Sequence, residues 1–194
     1  YPDSSLYGNH GKLTNMDAAT DWVYVPELGR WGNDFDGTND FVSVASHSSL
    51  DCQIGMTIGG WIKRSRAGIR EIWLGRGNGI SNATTPYWLE FQVSNRLSYF
   101  IGHADNTRHQ LFATETISDT NWHSVYGVWD GTIMRLYLDG AQCTNTLVNS
   151  TPPSTQAFAF AVGKLGTYKY SYFQGLISDP IIAARGYSRD EISA

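Results

Sequence analysis

The sequence predicts an all-β protein, a sandwich of antiparallel sheets, and three observations lead to this prediction. The chain of 194 residues contains 7 Trp, 11 Tyr and 8 Phe, whereas the charged helix formers are scarce, with 5 Glu and 4 Lys. Asp-Gly and Asn-Gly pairs, which favour tight hairpin turns, recur at short intervals. The segments between these turns alternate apolar and polar residues, which is typical of half-buried strands.

The alternation is clearest in three segments. Apolar residues fall mainly on the even-numbered positions of segments 56–63 and 134–138, and on all the odd-numbered positions of segment 87–93. Because successive side chains of a strand point to opposite faces, each segment has one core-facing and one outward-facing side. The core-facing residues predicted for the segment 87–93 are Tyr87, Leu89, Phe91 and Val93.

About a dozen such strands fit a single domain that spans residues 1–194. A chain of this length buries about 70% of its extended surface on folding, which is enough for one substantial core. Segment Ser188–Ile192 is predicted to form a final helical turn with Ser188 as its N-cap, since a serine hydroxyl accepts hydrogen bonds from the first free amides of a helix.

The two cysteines, Cys52 and Cys143, are compatible with two states. A disulfide between them would close a loop of about 90 residues and add about 4–5 kcal/mol in the chain-entropy model. Two unpaired buried thiols fit equally well, because the sequence does not give the distance between the two Cα atoms.

Charge and hydropathy exclude several classes of partner. The formal net charge is −4, the isoelectric point is near 5.7, and the chain has no run of Lys or Arg. These values argue against nucleic acid or an anionic membrane surface as the main partner. No apolar stretch approaches the ~20 residues of a membrane span, so membrane insertion is not expected.

Several segments, taken in order, resemble one family. Residues 3–13 (DSSLYGNHGKL), 34–42 (DFDGTNDFV) and 56–63 (MTIGGWIK) are followed by residues 122–140 (WHSVYGVWDGTIMRLYLDG) and by the tail 173–188 (FQGLISDPIIAARGYS). Together they are similar to the LamG-like jelly-roll domains of the concanavalin A-like lectin/glucanase superfamily. The resemblance implies a jelly-roll β-sandwich of two antiparallel sheets. It does not by itself define a function, because the fold serves lectins, glycosidases and adhesion domains alike.

The chain departs from the family pattern at both ends. Relatives usually carry a further strand ahead of the segment that starts at Asp3, and this chain begins at Tyr1 instead of Met. We therefore expect either a segment of a longer polypeptide or a sandwich with one edge strand fewer. In the tail, Ser178 stands where relatives often have an acid, which leaves Asp179 as the carboxylate there. Pro180 removes one donor of the ladder and favours an edge position for this strand.

The carboxylates do not match a glycosidase. Such enzymes need two carboxyl groups facing one cleft, about 5–9.5 Å apart, and the resemblance implies that glucanases place them on one strand at alternate positions. Glu71 and Glu90 have Trp73 and Gln92 two residues on, and neither of these is acidic. His123 lies in the Trp-His strand of the family, where a structural imidazole is expected. The sequence therefore favours a non-catalytic protein over a glycoside hydrolase.

Calcium is the cofactor that the resemblance implies. In relatives, the N-terminal loop and an acid of the penultimate strand hold one structural Ca²⁺, and here Asp3, Asn9 and Asp179 occupy those positions. Oxygen donors of this kind suit a hard cation. The alternative is that Asp3 caps a turn and Asp179 accepts a backbone hydrogen bond, as polar loop residues commonly do.

Aromatic and polar residues together suggest a glycan-binding face. Trp61, Trp88, Glu90 and Gln92 are expected to project from the faces opposite the aliphatic stripes. A sugar can stack on such a ring while neighbouring amide and carboxylate groups bind its hydroxyls. Alternatively, both tryptophans are covered by long loops or by a neighbour, because an exposed ring forgoes roughly 2–3 kcal/mol of burial.

These observations predict a non-catalytic recognition or adhesion module that binds carbohydrate, located outside the cell or at a cell or virion surface. The alternative is a structural surface or decoration domain, on a phage particle or a cell envelope, that binds a protein partner. Solvent exposure of the face around Trp88 would favour the glycan, whereas cover by a neighbouring chain would favour the assembly.

Overall fold

Two antiparallel sheets of seven strands each form the protein, as the computed structural model of residues 2–166 and 172–193 shows. We call them the front sheet and the back sheet. In spatial order the front sheet contains β1 (Gly11–Thr14), β4 (Phe41–Val44), β13 (Phe160–Val162), β6 (Glu71–Arg76), β7 (Tyr87–Phe91), β8 (Arg96–Gly102) and β9 (Arg108–Thr116). In spatial order the back sheet contains β12 (Ala141–Val148), β11 (Ile133–Leu138), β10 (Trp122–Trp129), β5 (Met56–Arg64), β14 (Gln174–Ala183), β3 (Arg30–Asp36) and β2 (Trp22–Val25). The predicted jelly-roll sandwich is confirmed.

One apolar core lies between the sheets, and the predicted alternation places it correctly. Met56, Ile58 and Ile62 of β5 meet Tyr87 and the other core residues of β7 in this layer. The prediction is wrong at the end of segment 87–93, where Val93 is exposed. Strand β7 ends at residue 91, and the chain turns tightly there, with the amide of residue 95 donating to the carbonyl of residue 92.

The hairpin turns follow from the Asp-Gly signals. Between β11 and β12, Asp139 and Gly140 both have positive φ angles, 50° and 75°, which is the pattern of a tight type I′ turn. At the C-terminus, helix α1 spans Arg189–Ser193, and its N-cap is Ser188, as predicted. The Ser188 hydroxyl accepts from the Glu191 amide while the Glu191 carboxylate accepts from the Ser188 amide, which forms a capping box.

Strand β14 does not lie at an edge, so the position predicted from Pro180 is wrong. It lies in the middle of the back sheet, between β5 and β3. The pairing with β5 shifts register between Ser178 and Ile181, and Asp179 within this bulge has a φ of 46°. A bulge tolerates proline inside a sheet because the ladder does not use the missing N–H there.

The two cysteines are unpaired, so the thiol alternative is the correct one. Both side chains are buried, and burial raises the pKa of each thiol to about 12. At neutral pH they therefore act as small apolar groups of the core, and neither is a reactive thiolate.

Candidate ligand-binding site

The outer face of the front sheet carries a row of aromatic and polar side chains. Since Tyr87 and its alternate neighbours on β7 point into the core, Trp88 and Glu90 point outward. Across the sheet, Trp88 lies opposite Phe100, and Phe100 lies opposite Gln110. Residues from strands β7, β8 and β9 therefore meet on one outward face.

Trp88 is held by a stacked partner and by a glycine on the neighbouring strand. Its ring lies 3.5 Å from that of Phe100, centroid to centroid, with 9° between the planes. Gly75 of β6 lies opposite Trp88, and a Cβ there would be 2.8 Å from Leu165 and 2.9 Å from the Trp88 side chain. The absence of a side chain at Gly75 lets Leu165 and Trp88 cover this part of the sheet, and Ile72 completes a small outer apolar cluster.

Glu90 organises the polar part of the same face. Its carboxylate is fully buried, with 0% exposure, and accepts hydrogen bonds from Arg70 Nε at 2.7 Å, Gln110 Nε2 at 2.9 Å and Ser98 Oγ at 3.1 Å. A fourth donor is the Gln92 side-chain amide. These four contacts fix the orientation of the Arg70 guanidinium and of two side-chain amide groups.

A pocket of about 210 Å³ lies over this face, and we call it the Trp88 pocket. It is lined by Trp88, Ile72, Leu165, Arg70, Arg108, Gln110, Thr85 and the stretch 79–82. Its rim is the loop between β6 and β7, which is tied to the β8–β9 turn because Asn82 Nδ2 donates to the carbonyl of Asn106 at 2.8 Å. A Cβ at Gly102 would be 2.2 Å from the Asn82 carbonyl oxygen, so this loop seats directly on β8.

The structure brings together three of the four residues predicted to bind ligand. Trp88, Glu90 and Gln92 share the outer face of the front sheet, whereas Trp61 lies on β5 in the back sheet, opposite Ser178. Of the two alternatives left open for the tryptophans, cover by the chain itself is the one found at Trp88. Trp88 retains only 8% exposure and Glu90 none, because the chain's own loops and side chains cover them.

The residues predicted to bind calcium lie in two separate places. The carboxylate of Asp3 accepts from the amides of Ser5 and Asn9 at 2.8 and 2.7 Å, so it closes the N-terminal turn. Asp179 lies in the back sheet and forms a 2.5 Å ion pair with Arg30. These contacts do not fit one ligand set shared by Asp3, Asn9 and Asp179, and calcium binding stays a prediction.

Calcium removal tests that prediction. If Asp3 and Asn9 hold Ca²⁺ with nearby backbone carbonyls, calcium at a hundredfold excess over Kd should raise the free energy of unfolding by about 2.7 kcal/mol. For a chain of this size that is a rise of roughly 5–10 °C in melting midpoint relative to EDTA. Equal melting midpoints in calcium and in EDTA would contradict calcium binding by Asp3 and Asn9.

A pair of histidines lies at the turn between β8 and β9. His103 is buried, its Nδ1 lies 2.9 Å from the Pro152 carbonyl and its Nε2 lies 2.8 Å from His109 Nδ1. Because the carbonyl can only accept, His103 Nδ1 donates to it, and in the neutral pair His103 Nε2 accepts from His109 Nδ1. Burial, together with the neighbouring His103, lowers the pKa of His109.

We expect the contribution of His109 to folding stability to decrease as the pH falls below about 6.5, the ordinary pKa of histidine. In that window the unfolded state binds the proton that folded His109 resists, so unfolding is favoured. Melting midpoints at pH 7.5 and pH 5.5 should differ more for the wild type than for His109→Gln. His123 provides the control: although burial opposes it, hydrogen bonds to Asp139 and Asp119 raise its pKa, so His123→Gln should change the pH dependence in the opposite direction. If the midpoint changes equally between pH 7.5 and pH 5.5 in the wild type and in His109→Gln, the lowered pKa of His109 is contradicted.

Two further features escaped the sequence analysis. A second hollow, of about 330 Å³, is lined by Asp21, Asp34, Asp36 and Asp40, and burial together with the neighbouring carboxylates raises the pKa values of Asp34 and Asp40. In residues 2–166 and 172–193 there is no group of three or more His, Cys, Asp or Glu side chains placed to hold a metal. Asp34, Asp36 and Asp40 lie close together in the sequence. Asp21 joins them only because β2 pairs with β3, which the sequence does not show.

The second feature is an aromatic patch on the β2–β3 hairpin. Tyr24 and Trp31 are paired across the two strands, with ring centroids 5.5 Å apart, and both are half exposed. Trp22 lies 6.2 Å from Trp31 on the same face. The alternation of Trp22 and Tyr24 was a visible signal, but the sequence did not show that β2 forms the edge of the back sheet.

The two sheets, with a lined hollow on the outer face of one, define a lectin-like jelly-roll domain. The chain belongs to the concanavalin A-like lectin/glucanase superfamily, whose family model matches residues 36–193. No curated protein sequence matches it. None of the helices in the described part of the chain is long and apolar enough to cross a membrane.

Solved structures share this fold at low sequence identity. The binding domain of Paraclostridial Mosquitocidal Protein 1 has a TM-score of 0.73 and 14% identity, and the match covers 99% of this chain and 48% of that one. The ligand-binding domain of botulinum neurotoxin serotype D, solved with N-acetylneuraminic acid, has a TM-score of 0.72 and 13% identity, and the match covers 99% of this chain and 46% of that one. A heptameric SAP-like pentraxin from Limulus polyphemus has a TM-score of 0.59 and 15% identity, and the match covers 82% of this chain and 78% of that one. The chain thus spans about half the length of the toxin domains.

Proposed function

We propose that the protein is a non-catalytic recognition module that binds carbohydrate in the Trp88 pocket, outside the cell or at a cell or virion surface. One observation carries this proposal. The apolar floor of the pocket, made by Trp88 with 8% exposure and by the almost fully buried Ile72 and Leu165, lies next to the hydrogen-bonding groups of Arg70 and Gln110, which Glu90 holds in place. A sugar ring has the matching character, with apolar C–H faces and hydroxyls around its edge.

The size of the pocket limits the ligand. At about 210 Å³ it is smaller than the roughly 300–1,000 Å³ of pockets that enclose drug-sized molecules. It therefore suits one sugar residue, such as the end of a chain, with the remainder of the glycan over the rim. The toxin domain solved with N-acetylneuraminic acid and the other receptor-binding neighbours support a binding role for the shared fold.

The polar network supports binding without catalysis. Both glycosidase mechanisms need one carboxyl group that gives up or takes a proton and a second that faces it. The oxygens of Glu90 already accept from four protein donors and are fully buried. We therefore expect no release of reducing ends from laminarin or from any glycan that the protein binds. Steady release would contradict the non-catalytic role.

A glycan array with the purified protein tests carbohydrate binding, and a matched pair of variants tests the site. Ile80 lines the pocket and Ile54 lies in the loop before β5; their exposures are 78% and 81%, so neither supports the core. Ile80→Ala should weaken the binding of array hits several-fold, whereas Ile54→Ala should not. Equal affinities of the two variants and the wild type would place the ligand elsewhere, and an array without hits would contradict glycan binding.

A protein partner is the second candidate function, and the aromatic patch on the β2–β3 hairpin favours it. Half-exposed Tyr24 lies on the edge strand β2 and half-exposed Trp31 on its neighbour β3, and aromatic residues are enriched where proteins meet. If this function is correct, Trp31→Ala should abolish capture of a protein partner from the native assembly, while Ile80→Ala leaves it intact. If Ile80→Ala loses glycan binding and Trp31→Ala retains it, the result favours carbohydrate binding as the function.

A further inference from the structure

The charge of the Trp88 pocket distinguishes one class of ligand. In the part of the chain that the structure describes, the lining includes two guanidinium groups, Arg70 and Arg108, and no carboxylate. The acid nearest to them in the network, Glu90, forms its ion pair with Arg70 at 2.7 Å. The positive charge of Arg70 is therefore balanced within the protein, whereas Arg108 has no counter-ion among the residues that the structure describes.

Arg108 is placed to act on a ligand. It is exposed at the start of β9, and its guanidinium lies 6.0 Å from the centroid of the Phe100 ring that supports Trp88. Among residues 2–166 and 172–193, its side chain has this ring contact and neither a hydrogen bond nor an ion pair. A guanidinium offers five N–H donors in a planar fork, which matches the two or three oxygens of a carboxylate or sulfate.

A buried donor at the same place also lacks a partner. Within the described part of the chain, the indole Nε1 of Trp88 has no hydrogen-bond acceptor, although Trp88 is nine-tenths buried and lines the pocket. Buried donors are normally satisfied, and an unmet N–H is destabilising. Both Glu90 oxygens are already engaged, whereas the Trp88 indole and the Arg108 guanidinium are donors without a hydrogen-bond partner among the described residues. A ligand that supplies acceptor oxygens and negative charge matches them, whereas a ligand rich in donors does not.

We propose that the Trp88 pocket selects an acidic saccharide, one that carries a carboxylate or a sulfate, with its anionic group on Arg108. This inference rests on the proposed carbohydrate binding and adds the class of sugar. In this proposal, the ring of the acidic sugar lies against the apolar floor of the pocket, and its anionic group lies towards β9. Because Arg108 is exposed, its attraction is screened by salt, so affinity for the acidic sugar falls as ionic strength rises.

Titration calorimetry with matched sugars tests the proposal. The acidic probes are trigalacturonic acid, 3′-sialyllactose and a sulfated lactose, and the neutral parents are galactotriose and lactose. The wild type should bind at least one acidic probe at least tenfold more tightly than its neutral parent, and comparison of the probes separates carboxylate from sulfate. Arg108→Gln should raise Kd for that probe about 10- to 100-fold and remove most of the salt dependence.

Two further variants make the result specific. Arg108→Lys keeps the charge and loses the planar fork, so it should restore only part of the affinity. Arg189→Gln removes one exposed positive charge from helix α1 and should bind as the wild type does. Preference for neutral parents, or an unchanged Kd in Arg108→Gln, would overturn the acidic class while leaving carbohydrate binding in place. Failure of every probe, together with an array without hits, would overturn both.

Discussion

Replacing Glu71 by alanine should lower the free energy of unfolding by about 3–5 kcal/mol, because it leaves a buried arginine without its counter-ion. Arg64 on β5 and Glu71 on β6 join the two sheets through a contact of 3.0 Å, and their side chains are 1% and 0% exposed. Glu71 also accepts from Arg66 Nε at 2.7 Å and from the Gln174 amide at 3.0 Å. The same carboxylate thus holds three segments of the chain together.

Urea unfolding and thermal melting measure this effect. For a chain of this length the expected fall in midpoint is roughly 6–20 °C. Glu71→Gln keeps the shape and one acceptor, so it should lose less than Glu71→Ala. Glu27→Ala is the control, since Glu27 meets Lys63 at 3.8 Å in an exposed pair and should change stability by less than about 1 kcal/mol. A loss of that small size in Glu71→Ala would contradict the structural role of the buried pair.

Trp88→Ala should cost about 3–5 kcal/mol of folding stability, as is usual when a buried aromatic side chain is truncated. The loss arises because Phe100 and Leu165 would face a cavity on the outer side of the front sheet. Trp88→Phe keeps a stacked ring and should recover much of the stability. A midpoint within about 1 °C of the wild type in Trp88→Ala would show that the outer cluster contributes little.

This expectation also determines how the site can be probed. A variant that destabilises the front sheet would lose ligand binding for an indirect reason, so Trp88→Ala cannot locate the ligand by itself. Ile80 and Arg108 are exposed members of the same pocket and allow its binding to be tested with the fold kept intact.

The sequence predicted the sandwich because alternation along a strand is a local property. The inward direction of Tyr87, Leu89 and Phe91 follows from a period of two and is independent of the neighbouring strands. The two errors arose where a non-local feature decided the outcome. Val93 follows a turn that ends β7 early, and Pro180 lies in a bulge of a central strand.

The site was predictable only in part, for the same reason. Trp88, Glu90 and Gln92 lie on one strand and its extension, so their common direction was visible. Arg70, Arg108 and Gln110 reach the same face through pairing across β6, β8 and β9 and through the cover of the β6–β7 loop. Register and loop position are tertiary properties, and they decided both the burial of Trp88 and the composition of its pocket.

The central position of β14 governs the order in which the protein can be completed during synthesis. Strands β3 and β5 pair with β14 and with outer neighbours, but they do not pair with each other. A nascent chain that ends before residue 174 therefore exposes two unpaired strand edges, and such edges readily join other chains. Their closure also requires segments more than 100 residues apart to meet, which slows folding. A polypeptide truncated ahead of β14 should accumulate as aggregates or bound to chaperones. In the full chain, the ten residues of β14 cover both strand edges and so prevent their pairing with other chains.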